Sequence, residues 1–400
     1  MKQTRIRKHT RHLLTGLGLF LLASLQPLLA QQNEAGQAAP VKLGLMLPYS
    51  GTYAPLGESI TNGLKLAIKQ NGDQLGGRPV EYVILDSEAD ASKAPQNMSR
   101  LVKGDKVDVV IGPVHSGVAM GMLKVAKQTG AIMIIPNAGL GAATGQLCMP
   151  NVFRTSFSMW QDSYPMGKVA YDRGHRKVVT ITWNYAGGKE DIAGFKESFT
   201  KAGGEIVKQI LVPFPETQFQ PYLTDIASIK PDAVYTFFAG AGAVRFVRDY
   251  AKVGLKDSVP LLGSGFLTDG NLDAQGEAAE GILTTLHYAD GLDSDVDRTF
   301  REAYGKAYER ELDTYAVQGY DAGMMLVQAL DQTDGDSADR DALISALASV
   351  KLNSPRGPVT FSKAHHPIQN IYLRQVKGGR NQVIDVASRA LEDPARGCRM

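Results

Sequence analysis

Ser116 follows Gly112-Pro113-Val114-His115 and opens an amphipathic stretch. A hydroxyl beside the unpaired backbone N–H groups of a helix start can hold an anion, helped by the positive end of the helix dipole. The alternative is that Ser116 only caps that helix. The polar loop Asn137-Ala138-Gly139 lies one element further on. Readings as an enzyme fail one by one. Val114-His115-Ser116-Gly117 lacks the glycine two residues before the serine, so it is no nucleophile elbow. No phosphate-loop lysine motif occurs. Gly240-Ala241-Gly242 has Arg245 where a dinucleotide fingerprint needs its third glycine. His365-His366 reads as a solvated turn, and Glu190-Asp191 reads as a pair of helix-dipole partners. No spacing suits a zinc site, so neither catalysis nor a cofactor is expected.

These loops sit between elements of alternating period. Strands are predicted over 41–47, 80–85, 107–111 and 132–135, separated by helices over 56–71, 91–103 and 117–129. The pattern restarts near residue 158. Helices over 160–172, 192–202, 221–229 and 243–253 alternate with strands over 178–182, 205–212, 233–238, 259–262 and 282–286. Helices over 297–310, 315–332 and 339–348 follow, and strands over 359–361 and 371–376 close the chain. Alternation of this kind builds parallel sheets with right-handed crossovers. The fold class is therefore α/β, with two similar, mostly parallel-sheet units. Ligands of such sheets bind beyond the carboxyl ends of the strands, where Ser116 and Asn137 lie.

Residues 1–11 hold Lys2, Arg5, Arg7, Lys8 and Arg11 and no acid; an apolar run and Leu28-Leu29-Ala30 follow. This order predicts a secretory signal peptide over 1–30, cut after Ala30, then a poorly ordered lead-in over 31–40. A membrane anchor is disfavoured because the apolar run is shorter than the roughly 20 residues a span needs. The 400-residue chain has 43 basic and 41 acidic residues; without the five leader cations its net charge is −3. Such a balance gives no reason to expect nucleic acid as a partner. Export permits oxidation, so Cys148 and Cys398, both in loop-like contexts, are expected to pair; two free thiols are the alternative.

Leu43-Gly44-Leu45-Met46-Leu47-Pro48-Tyr49-Ser50-Gly51, Gly57, Val110-Ile111-Gly112-Pro113 and Phe153-Arg154-Thr155 resemble the type I periplasmic binding proteins. The resemblance runs over 41–400 and is to the Leu/Ile/Val-binding-like receptors of ABC importers. It implies two lobes joined by three hinge crossings. The first lobe would be 41–156 plus 287–363 and the second 157–286 plus 364–400. It also implies a monomer that delivers a small molecule to ABC permease subunits in the inner membrane.

Departures from the family pattern narrow the ligand. Ser116 matches the serine that holds an α-carboxylate in amino-acid-binding members, but Gly139 stands where a threonine is expected. Gly265, in Leu262-Gly263-Ser264-Gly265-Phe266, stands where those members place the acid that pairs the α-ammonium. A buried ammonium without a partner costs several kcal/mol, on the order of a buried ion's desolvation penalty. The second half is rich in rings: Phe157, Trp160, Trp183, Tyr185, Phe237, Phe238 and Phe266, with Tyr53 facing them. One anion anchor among flat apolar walls suits an aromatic carboxylate. The stretches 137–145, 153–161, 237–240 and 315–321 are also similar to the branch linked to benzoate- and cinnamate-type acids. The expected site is Ser116 with backbone groups at Asn137, Ala138 and Gly139, and ring walls of Tyr53, Phe157, Trp160, Tyr185, Phe238 and Phe266 beside Gly240. His115 or Ser158 would bond a ring substituent. A branched-chain or other amino acid receptor, and a ligand-sensing subunit for a membrane signalling protein, stay open as alternatives.

Overall fold

The structure is a computed structural model that describes residues 39–292 and 294–400. The expected signal peptide, and all of the lead-in but Ala39 and Pro40, lie outside the described residues.

Two sheets organise the chain. The first has six strands in the order β2-β3-β1-β4-β5-β6. They are β1 Val41–Leu47, β2 Gln74–Leu75, β3 Arg78–Asp86, β4 Val109–Ile111, β5 Ile132–Ile135 and β6 Val152–Arg154. All neighbours are parallel except the short β2–β3 pair. Six of the seven β1 residues are buried, as a central parallel strand covered on both faces requires.

The second sheet holds β7 Lys177–Trp183, β8 Glu205–Val212, β9 Ala233–Phe237, β10 Leu261–Ser264 and β11 Leu283–Leu286. β12 Leu352–Ser354, β13 Gly357–Phe361, β14 Pro367–Lys377 and β15 Arg380–Leu391 complete it. Its order is β12-β13-β14-β11-β10-β9-β7-β8, with β15 on β14. β7 to β11 are parallel, and β14 runs antiparallel to β11. β12 and β13 are tied to β14 through β13, yet Leu352 and Val359 pack with Val41, Leu43 and Leu64 in the core of the first sheet.

Two helices cross at glycine. Helices Ala54–Gln70 and Thr314–Gln332 approach so closely that a Cβ on Gly63 would strike the Ala316 carbonyl, and one on Gly319 the Ile60 carbonyl.

Arg356 ties the connections between the sheets together. It is buried, and its guanidinium donates to Asp321 Oδ2 at 2.8 Å, to the Ser156 carbonyl at 3.0 Å, to the Thr155 carbonyl and to Gln369. The Cys148–Cys398 disulfide is present, with Cα atoms 5.5 Å apart. It joins the segment before β6 to the segment after β15.

Some expectations needed correction. The chain does not close on the strand over 371–376: β14 continues through a Gly378-Gly379 turn into the twelve-residue β15. Both glycines have positive φ, as a tight hairpin turn requires. The helix over 91–103 is regular only at Ala94–Ser99 and widens over Arg100–Gly104. His366 is not in a solvated turn. It is fully buried between Arg154 and Gln161, while His365 stacks on Phe153 at 4.3 Å. No helix among the described residues is long and apolar enough to cross a membrane.

Candidate functional site

The strand ends of both sheets face one another around a narrow, nearly closed cavity of about 10 Å³. Tyr53, Leu56, Val114, Asn137 and Tyr315 come from elements packed on the first sheet. Phe157 and Met159 follow the first connection between the sheets, and Tyr185, Phe237, Ala239 and Phe266 come from the second sheet's strand ends. Among the described residues, no Asp, Glu, Lys or Arg is in this wall. The two halves touch across it. Tyr53 Oη is 3.3 Å from Tyr185 Oη, Gly242 N donates to Thr52 Oγ1 at 3.2 Å, and Gly141 N donates to Glu190 at 2.8 Å.

Rings line the space face and edge. Phe157 and Phe266 have centroids 4.6 Å apart, Phe266 meets Phe237 edge-on at 6.0 Å, and Phe266 meets Tyr315 at 6.0 Å. Burial pushes the hydroxyls of Tyr53 and Tyr185 above the ordinary phenol range, so both stay protonated. One bond between them uses one proton and leaves the other O–H to donate.

Three helices begin at the cavity: Ser116–Thr129, Ala186–Lys201 and Gly240–Lys252. Their dipoles make the space favourable to an anion without any cationic side chain. Ser116 is not the cap of its helix. That position belongs to His115, whose Nδ1 accepts from Gly117 N at 3.1 Å. Ser116 Oγ is buried and has no hydrogen-bond partner among the described residues. It converges with Tyr185 and Met159, both wall residues, on Gly187: a Cβ built there lies 2.8 Å from the Ser116 oxygen.

The bond to Gly117 fixes the His115 tautomer. A backbone N–H can only donate, so Nδ1 carries the lone pair and the neutral ring carries its proton on Nε2. That Nε2 is buried and unpartnered among the described residues, and the ring stacks on Tyr185 at 4.5 Å. Burial pulls the His115 pKa from 6.5 down to about 4. Between these values the unfolded chain binds more protons than the folded one, so stability rises as pH rises from about 4 to 6.5 and is lost on acidification. His115→Asn keeps a cap for Gly117 and is expected to flatten this dependence in urea unfolding measured across that window. An unchanged pH slope would assign the acid loss to other groups.

The expected residues divide. Tyr53, Asn137, Phe157, Tyr185 and Phe266 line the cavity, with His115, Ser116 and Gly240 at its edge. Gly240 has φ +57° and touches the Thr52 backbone, a close approach only glycine permits. Three residues lie elsewhere. Trp160 is on the outer side, its Nε1 donating to Glu197 at 3.1 Å and its ring on Tyr164. Ser158 caps helix Met159–Asp172 and donates to Asp393. Phe238 turns into the core against Trp183 and Phe246, while its strand neighbour Phe237 faces the cavity, because successive side chains alternate. The Ala138 N–H is already spent on the Pro113 carbonyl.

The two departures from the family pattern have physical reasons. At Gly139 a Cβ would lie 2.6 Å from Phe157 Cε2 and 3.0 Å from Met159 N, so a threonine has no room. At Gly265 it would lie 2.8 Å from Leu286 Cδ2 and would strike the Arg374 guanidinium. Asp269, nearby, is engaged by Arg374 and by Thr314 N. Sequence reasoning missed Leu56, Val114, Met159, Phe237, Ala239 and Tyr315 as wall residues. Tyr315 Oη is buried and unpartnered among the described residues.

Known proteins resemble the chain throughout. A family model described as periplasmic binding protein matches residues 40–381. The chain is 34% identical over 370 residues to Leu/Ile/Val-binding protein homolog 6 of Brucella melitensis, covering 91% of this chain and 92% of that one. A solute-binding protein of an ABC transporter from R. palustris, solved in complex with benzoate, is 47% identical with a TM-score of 0.89, over 90% of this chain and all of the other. A second, from Rhodopseudomonas palustris BisB5 in complex with 3,4-dihydroxybenzoic acid, is 34% identical with a TM-score of 0.84, over 89% and 99%.

Proposed function

Since the chain belongs to the periplasmic binding protein family and is an ABC transporter's solute-binding protein rather than an enzyme, we propose that its solute is a small aromatic carboxylate. The observation that carries this reading is the buried hydroxyl of Ser116, unpartnered among the described residues, beside an aromatic cavity to whose wall the described residues bring no acid. An unpaired buried hydroxyl costs stability, about 1–3 kcal/mol, unless something else is bound there. A carboxylate at Ser116 would be held by that hydroxyl and by the helix starts around it. The ring would then lie among Tyr53, Phe157, Tyr185, Phe237 and Phe266.

An amino acid fits less well. Its ammonium would meet no carboxylate in the wall, and the place of the missing acid is closed by Leu286 and Arg374. The benzoate and dihydroxybenzoate bound by the two similar receptors favour the same class. The lobes that close on the ligand are 41–156 with 287–363 and 157–286 with 364–400, and the closed form docks on the permease. Closure needs only that the ligand bind the closed form more tightly than the open one.

A thermal-shift series tests the reading, because ligands of the native state raise its apparent stability by mass action. Benzoate and 4-hydroxybenzoate are expected to raise Tm by several degrees, leucine and valine by none. A shift with leucine or valine and none with either benzoate would overturn the assignment.

A further inference from the structure

Behind the cavity wall runs a line of buried polar side chains that the carboxylate site does not use. Asn137, a wall residue, donates through Nδ2 to Gln318 Oε1 at 2.7 Å. Gln318 Nε2 lies 3.1 Å from His287 Nε2. His287 Nδ1 lies 3.2 Å from each carboxylate oxygen of Asp162. Gln318, His287 and Asp162 are at most 1% exposed. The line also passes between the halves: Asn137 follows β5 of the first sheet, and His287 follows β11 of the second.

We propose that Gln318, His287 and Asp162 are positioning residues that hold the Asn137 carboxamide in one orientation toward the ligand, through three hydrogen bonds all directed away from the cavity. The proposal rests on the aromatic cavity being the ligand site.

Each direction follows from the inventory of donors and acceptors. With its oxygen taken by Asn137, Gln318 offers only an N–H group to His287. His287 Nε2 must then accept, which places the ring proton on Nδ1. From there it is donated to the Asp162 carboxylate. Burial, with Arg356 and Arg374 nearby, keeps the His287 pKa well below its ordinary value, so the ring holds one proton and the two nitrogens cannot both donate. The chain therefore has a polarity set by its far end. A carboxylate at Asp162 orients the imidazole, the imidazole orients Gln318, and Gln318 orients Asn137. Burial pushes the Asp162 carboxyl well above its ordinary range, while Arg356 and Arg374 act in the opposite direction. A protonated Asp162 would donate to Nδ1 and reverse every bond, turning over the Asn137 amide. The position of one proton on His287 thus decides which face Asn137 presents to a bound ring or its substituent. Of these four hydrogen-bonded residues, Asn137 alone lines the cavity.

The test has two readouts on the full-length protein. Two-bond nitrogen–proton correlation spectra of histidine-labelled protein, with His287 assigned by its loss in His287→Gln, are expected to show the proton on Nδ1. A proton on Nε2 overturns the proposal. The second is a double-mutant cycle on benzoate affinity by calorimetry. Gln318→Leu is expected to weaken benzoate about ten-fold in the wild-type background and less than about two-fold in Asn137→Ala, because its effect passes through Asn137. Equal losses in both backgrounds would mean that Gln318 acts on the fold and not on Asn137, and would also overturn it. If the wild-type protein binds no benzoate, the ligand assignment falls, and the His287 tautomer alone still decides the direction of the chain.

Discussion

Ser116→Ala is expected to weaken benzoate binding by about 10- to 100-fold while leaving the melting temperature of the ligand-free protein unchanged or slightly higher, because a hydrogen bond to a charged group contributes about 1.5–3 kcal/mol. The two signs together are diagnostic. Without ligand, the Ser116 hydroxyl is buried with no partner among the described residues, so deleting it removes a desolvation cost and breaks no bond. With a carboxylate present, the same deletion removes a donor at the start of helix Ser116–Thr129. Calorimetric titration with benzoate and a thermal melt without it measure both quantities. An unchanged affinity would show that the carboxylate sits elsewhere, and a large fall in the ligand-free melting temperature would show that the hydroxyl is a structural group.

Arg356→Leu is expected to lower stability by about 3–5 kcal/mol, the cost of breaking a buried ion pair from one side. The side chain holds Asp321 together with the carbonyls of Thr155 and Ser156, where the chain leaves the first sheet for the second. Leucine would leave the Asp321 carboxylate and two backbone acceptors buried without it. Burial already pushes the Asp321 carboxyl up, against the opposing pull of Arg356, so in the variant the carboxyl gains a proton and recovers part of the loss. Urea unfolding measures the difference, and Arg356→Leu combined with Asp321→Leu is expected to be more stable than the single variant. A single-variant loss below about 1 kcal/mol, the range of an exposed pair, would mean that solvent reaches the cluster.

The sequence displays what is periodic and hides what depends on approach. The strands over 41–47 and 205–212 are legible because continuous or alternating apolar residues bounded by turns have few other readings. β15 is not legible in that way. Arg380–Leu391 is half polar and half exposed, and it becomes a strand by pairing with β14 across Gly378-Gly379, a turn signal in plain view. Within the site, Ser116 could be found from its place at a helix start. That His115 is the cap instead follows only from the imidazole reaching Gly117. Trp160 misled because a ring near a connecting loop was expected to face the ligand. The first turn of its helix directs it outward to Glu197. Phe237 and Phe238 were distinguishable in principle as a pair, since only one of two neighbours in a strand can face the cavity, but which one depends on register. Asp162, His287, Gln318 and Arg356 lie far apart in sequence and carry no shared motif. Their association is a product of the tertiary fold alone.

The disulfide between Cys148 and Cys398 acts most strongly where the folded molecule cannot display it. Its two ends are 250 residues apart, so under oxidising conditions most of the unfolded chain becomes a closed ring. On a loop-entropy account, removing that many open-chain conformations contributes about 5 kcal/mol of stability with no new contact in the native state. The same polypeptide therefore has two stabilities, set by the redox state of its surroundings. While its thiols are reduced it unfolds more easily. Once the thiols are oxidised, returning to that pliable state requires breaking a covalent bond first.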